Sequence, residues 1–263
     1  MLRALTAALT LAAFLTATAS AAQRPITVRV DDHAIHLPAT VPAGTLAVHI
    51  VTGGKQLHHL VFEQLKPGVT FISFEKAMQN PAANDATYAT YIGGNGQVPP
   101  GRSVDVFFTV KPGPVEVIDI VHGQAISHAQ LTATAATSAT SPPTSLGTVI
   151  ANAKDRFVLP RGFGKPGVFA FRNTDRDPHD MVIVGLAPGK HANTIIAWAK
   201  AGKHTPPPVT GEFGGAGALS GHLTSWFTVP KLAPGTYALI CLMPDSHGMP
   251  HAAHGMVREF TIS

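Results

Sequence analysis

Cys241 is the single cysteine in a chain of 263 residues. Ten residues beyond it stands His251, and five residues further Met256, within the segment YALICLMPDSHGMPHAAHGMVREFTI that spans residues 237–262. A thiolate, an imidazole and a thioether on one loop can wrap one side of a metal ion. A second imidazole must then come from another strand. His179 is placed for that, after the turn Asp177-Pro178 and at the head of the apolar run Met181-Val182-Ile183-Val184. A thiolate and two imidazoles near one plane, with a weak thioether on the axis, form the donor set of a single copper ion. Such a geometry lies between the preferences of the two oxidation states, so little rearranges when an electron arrives. His247 and His254 compete with His251 for the loop position, and the spacing to Met256 favours His251. Taken singly, Cys241 suits a small buried apolar role and Met256 suits core packing. The metal reading rests on their conjunction with His179. Because each imidazole must be neutral to ligate, acid should weaken such a site.

The elements that must position these groups follow from a weak internal repeat. His58-His59-Leu60-Val61-Phe62 answers His179-Asp180-Met181-Val182-Ile183 at a constant offset of 121 that persists to Pro67-Gly68 and Pro188-Gly189. Leu37-Pro38 answers Leu159-Pro160, Phe107-Phe108-Thr109-Val110 answers Trp226-Phe227-Thr228-Val229, and Pro112-Gly113 answers Pro234-Gly235. The matches keep their order along the chain. Short alternating apolar runs such as Ile26-Val28-Val30 and Val104-Val106-Phe108-Val110, broken by Gly- and Pro-rich turns, predict two all-β Greek-key sandwiches. A helix-like segment follows the repeated strand in each half, at residues 73–78 and 193–201. Residues 133–143, rich in Ala, Thr, Ser and Pro, read as a linker. The expected organisation is residues 1–22 as a signal peptide, 23–132 as a first domain, 133–143 as linker and 144–263 as a second domain. The Gly-rich residues 211–221 read as a loop, since no strand–loop–helix context supports phosphate binding.

Composition narrows the function. Apolar residues make up 45% and charged residues 13% of the chain, enough for buried cores. The formal charge of +4 is not gathered into a basic stripe, which disfavours nucleic acid as a partner. Arg3, the apolar stretch at residues 5–15 and Ala19-Ser20-Ala21 have the form of a cleavable export signal. The expected location is therefore periplasmic or secreted, with no membrane insertion after cleavage.

The His179 segment and the Cys241–His251–Met256 loop resemble the plastocyanin/azurin-type blue copper proteins, the cupredoxins, in an exported bacterial two-domain form. The Pro-His entry to a strand and the four residues between His251 and Met256 carry the likeness. The long Cys241–His251 loop departs from plastocyanin-like loops and is nearer to the type 1 domains of copper nitrite reductases and multicopper oxidases. The resemblance implies cupredoxin-like sandwiches, each with a short inserted helix, and one type 1 copper ion in the C-terminal domain. It implies one-electron transfer with a redox partner protein, or copper carriage with a donor or acceptor protein. A metal-free binding role is the third reading.

Two features argue against an enzyme. Oxidases of this family need paired His-x-His motifs and a His-Cys-His segment, and nitrite reductases place a histidine directly before the cysteine. Here Ile240 and Leu242 flank Cys241. In the first domain, counting from the matched glycines puts Asp119 where the second has Cys241, so the thiolate is lost. His58 keeps the place of His179. A second metal site of His58, His59, Asp119, His122 and His128 is conceivable, but an empty domain that kept its fold is the favoured reading.

Overall fold

The computed structural model describes residues 25–80, 85–121, 124–135, 141–202 and 207–263. The expected signal peptide, His122 and residues 136–140 of the expected linker lie outside them. Among the described residues no helix is long and apolar enough to cross a membrane.

The first half runs β1 (Ile26–Val30), β2 (Ile35–His36), β3 (Thr40–Pro42), β4 (Gly44–Thr52), β5 (Leu60–Leu65), α1 (Phe71–Met78), β6 (Ala89–Gly94), β7 (Ser103–Val110), β8 (Gly113–Val121) and β9 (Gln124–Thr134). The second runs β10 (Thr148–Asn152), β11 (Arg156–Val158), β12 (Gly167–Asn173), β13 (His179–Gly185), α2 (Ala192–Lys200), β14 (Gly211–Leu219), β15 (Thr224–Val229), β16 (Gly235–Ile240) and β17 (Val257–Ile262). Strand β9 therefore takes Ala133 and Thr134 out of the stretch read as linker, because both pair with β3.

The pairing of each half is the same. β1 lies parallel to β4 as β10 does to β12, β5 joins β6 and β8 as β13 joins β14 and β16, and β8 carries β9 as β16 carries β17. Alternating burial along β4 puts Leu46, Val48 and Ile50 into the core. β5 and β13 are buried at every position, since one face meets the core and the other is covered, by helix or loop. A capping box between Thr70 and Ser73 starts α1 on the outer face.

The halves do not stand apart. One sheet runs β11-β10-β12-β15-β7-β4-β1-β2 and the other β17-β16-β13-β14-β6-β5-β8-β9-β3, so both cross the junction, and a single core cluster includes residues of both halves. At the junction residues meet their own counterparts. Phe107 pairs with Trp226, and Asn95 bridges to Ala216, which is 121 residues on. The repeat is thus arranged about an approximate twofold axis, as in an isologous dimer joined into one chain.

The Gly-rich residues 211–221, expected as a loop, are largely strand β14. Gly215 (φ +125°) lies so close that an added Cβ would strike the carbonyl of Met181, and one on Gly217 would fall 2.8 Å from Gly94 Cα. The glycines mark close backbone approach between strands rather than turns.

Candidate metal centre

The apolar run that sequence reading assigned to a strand is β13, and it delivers His179 as its first residue. The turn before it is fixed by Asn173, whose Nδ2 donates to the carbonyls of Asp177 (2.7 Å) and Leu219 (2.9 Å). β16 pairs with β13 through Val182 and Ile240, so Cys241, the next residue, emerges beside His179. Both side chains are fully buried.

His251 reaches the same point from a long loop that is internally braced. Pro244 and Pro250 form a bridge, and the Asp245 amide donates to the Met249 carbonyl at 2.8 Å. The Asp245 carboxylate accepts from the amides of His247 (2.7 Å) and Met249 (2.9 Å) and meets His254 Nε2 at 2.9 Å. These bonds, led by that from Met249, pull its pKa down to about 2. Beyond this knot, a one-turn 3-10 helix (His251–His254) returns the chain to Cys241, whose carbonyl accepts from the Ala252 amide at 3.0 Å. Met256 is fully buried, with its amide on the His251 carbonyl (3.1 Å) and its carbonyl on the Cys241 amide (3.2 Å).

Three donor atoms converge. His179 Nδ1 and His251 Nδ1 are 2.9 Å apart, and Cys241 Sγ lies 3.7 Å from the first and 3.5 Å from the second. The point equidistant from these three atoms is about 2 Å from each, within the range of metal–nitrogen and close to that of metal–thiolate bonds. The donor set and its spacing fit one copper ion. His179 Nε2 faces the Asp175 carboxylate at 3.3 Å, which holds the proton there and leaves Nδ1 bare toward the centre. Burial, and then the neighbouring His251, lower the pKa of His179, so its imidazole is neutral. Burial pushes the Cys241 thiol up, with the nearby Asp180 carboxylate adding to it, while the amides of Asp180 and Met243 oppose the shift by bonding to the sulfur. Asp180 Oδ1 also accepts from the Leu242 amide at 2.7 Å and so pins the residue after the cysteine.

The competing loop histidines are elsewhere. The His247 side chain is 85% exposed, and His254 points to Asp245. In the first half, strand register confirms the glycine count: Leu60 pairs with Asp119, and Asp119 takes the position of Cys241. His58 is closed off by Asp119 Oδ2 at 2.7 Å on Nδ1 and by the Gly53 carbonyl at 3.2 Å on Nε2. β8 ends at Val121 and β9 begins at Gln124, so two residues stand where the second half has its ligand-bearing loop. His128 lies on the opposite face of the sheet, on Glu116, and does not join His58, His59 and Asp119. Sequence reading missed Asp175, Asp180 and Asp245, which act through hydrogen bonds that no spacing rule announces.

The sandwich carries a histidine at a strand head and a cysteine just after the neighbouring strand, the all-β arrangement that the cupredoxin resemblance implies. No protein-family model and no curated protein matches this chain. Among solved structures it is similar to auracyanin from Roseiflexus castenholzii at 24% identity, covering 44% of this chain and 95% of that one, with a TM-score of 0.30. It is similar to a multi-copper oxidase from Pediococcus acidilactici at 12% identity, covering 91% and 58%, with a TM-score of 0.26. It is also similar to the copper nitrite reductase from Nitrosomonas europaea at 10% identity, covering 90% and 93%, with a TM-score of 0.25. At TM-scores of this size the likenesses carry no weight for function, which is argued from the donor atoms of this chain.

Proposed function

We propose that this chain is an exported one-electron carrier whose C-terminal half holds a single type 1 copper ion through His179, Cys241, His251 and Met256. The observation that carries the reading is the buried triangle of His179 Nδ1, His251 Nδ1 and Cys241 Sγ. Bound there, copper supplies a reversible Cu(I)/Cu(II) couple. The protein's part is to hold two imidazoles and a thiolate in one arrangement for both states. Asp175 keeps the His179 tautomer, Asp180 and Met243 donate amides to the sulfur, and the Asp245-braced loop fixes His251. Full burial of Cys241 and Met256 keeps water from the thiolate and thioether. Met256 would supply the weak thioether donor, brought close by its backbone bonds to Cys241 and His251.

A carrier is favoured over an oxidase because apolar Ile240 and Leu242 flank Cys241, where a second copper centre would need histidines. It is favoured over copper carriage because Met243 and Met249 pack against hydrophobic clusters rather than lining an open cargo site. Export rests on the N-terminal residues, and the partner is a redox protein outside the cytoplasm. Metal analysis and voltammetry of the copper-loaded chain test the reading: one copper per chain and a reversible one-electron wave are expected. Several coppers per chain, or none, would overturn it.

A further inference from the structure

The outer face of the first-half sheet carries carboxylates where a covered sheet face ordinarily carries apolar side chains. Val115, Val117 and Asp119 of β8 point to one face, and Glu116 points to the other. Glu116 pairs directly across with Glu63 of β5. Each is only 1% exposed, and each has an Oε2 with no hydrogen-bond partner. Burial raises the pKa of both. Buried carboxylates with orphan oxygens call for a proton or a cation.

The same positions in the second half show that the fold does not require them. By the register of the repeat, Glu63 corresponds to Val184, Glu116 to Ala238 and His128 to Val257. Those three pack in one apolar cluster with Ile195 of α2. The first half has replaced that cluster with two acids and an imidazole. Glu116 Oε1 lies 2.8 Å from His128 Nδ1 on β9, which is 3.8 Å from Glu75 Oε1 on α1. One donor atom from each of the three falls within 4.8 Å of the others. Gln130 Nε2 donates to Glu75 Oε1 at 2.8 Å and aims that carboxylate. The half-exposed side chains of His128 and Glu75 leave a path from solvent.

We propose that Glu75, Glu116 and His128 form a second metal site, for a divalent ion of the zinc type. Glu63 stands directly across from Glu116 on β5, and Gln130 orients Glu75. Two carboxylates and one imidazole suit Zn²⁺, Co²⁺ or Mn²⁺, whereas the thiolate centre suits copper. Each half thus carries its own candidate site where the other half has apolar or self-paired residues.

The test uses the full mature chain carrying Cys241→Ser and His251→Ala, which silences the thiolate centre. After chelator treatment it is titrated with Zn²⁺ by calorimetry, and Co²⁺ is followed by its visible bands. One equivalent is expected. His128→Gln, at a side chain that is 58% exposed, should weaken binding by about 100-fold, and Glu116→Gln should do the same. Absence of Zn²⁺ binding, or an affinity unchanged by His128→Gln, would overturn the proposal.

Discussion

Asp119 faces His58 in the first half as Cys241 faces His179 in the second. The two pairs hold equivalent positions in the repeat, yet His58 Nδ1 and Asp119 Oδ2 are bonded at 2.7 Å while Cys241 Sγ stands 3.7 Å from His179 Nδ1. One pair is closed on itself. The other leaves room for an ion between its members and His251.

The closed pair should be structural. Asp119→Ala leaves a fully buried imidazole without its partner and should cost about 3 kcal/mol in stability. Denaturant unfolding measures the loss. Copper stoichiometry should not change in this variant or in His58→Ala, as metal analysis of the folded protein would record.

Asp175 should control affinity without touching the ion. Asp175→Ala frees His179 to carry its proton on Nδ1 and to turn in its pocket. Copper affinity, measured by competition with a chromophoric chelator, should fall by about 10- to 100-fold. The thiolate absorption should persist once copper is supplied in excess.

Met256→Leu should keep one copper per chain and raise the reduction potential, because the thioether donates weakly to the oxidised ion. Voltammetry reads the shift. An unaltered potential would remove Met256 from the donor set.

Asp245 gives the loop a defined acid limit. Its pKa is depressed to about 2, below the usual carboxylate value, by its amide donors and His254. A depressed carboxylate stabilises the fold above its unfolded pKa, and that contribution is lost as pH falls through the folded value. Metal-free Asp245→Ala should therefore melt below the parent protein between pH 5 and 7, with the difference vanishing below about pH 2. Thermal melts across this range check both parts. Trp198, which packs against the cluster of Ala199, Ala252 and Ala253, is a local fluorescence probe of the loop.

Much of this was legible from residues alone. The 121-residue offset identified β5 and β13 as equivalents, and the matched glycines put Asp119 opposite His58. The helix-like segments at residues 73–78 and 193–201 fall within a residue or two of α1 and α2. The Gly-rich strand β14 was not, because glycine for close approach and glycine for turning look alike in a sequence. The continuity of the sheets was hidden too, since strand pairing across the junction leaves no local pattern. Sequence position groups His128 with His58, yet one residue of strand alternation decides which face it serves. Glu75 and Glu116 come from a helix and a strand 41 positions apart, a proximity that only the packing of α1 on the sheet creates. The Asp245 knot explains why a ten-residue excursion can still return His251 to Cys241, and its side-chain bonds follow no motif.

The central claim is a copper–thiolate bond at Cys241, and the visible spectrum of the mature protein loaded with Cu(II) tests it most directly. The account predicts an intense thiolate-to-copper absorption band at one copper per chain, abolished by Cys241→Ala. A colourless protein, or one whose copper binding and spectrum survive Cys241→Ala unchanged, would contradict it.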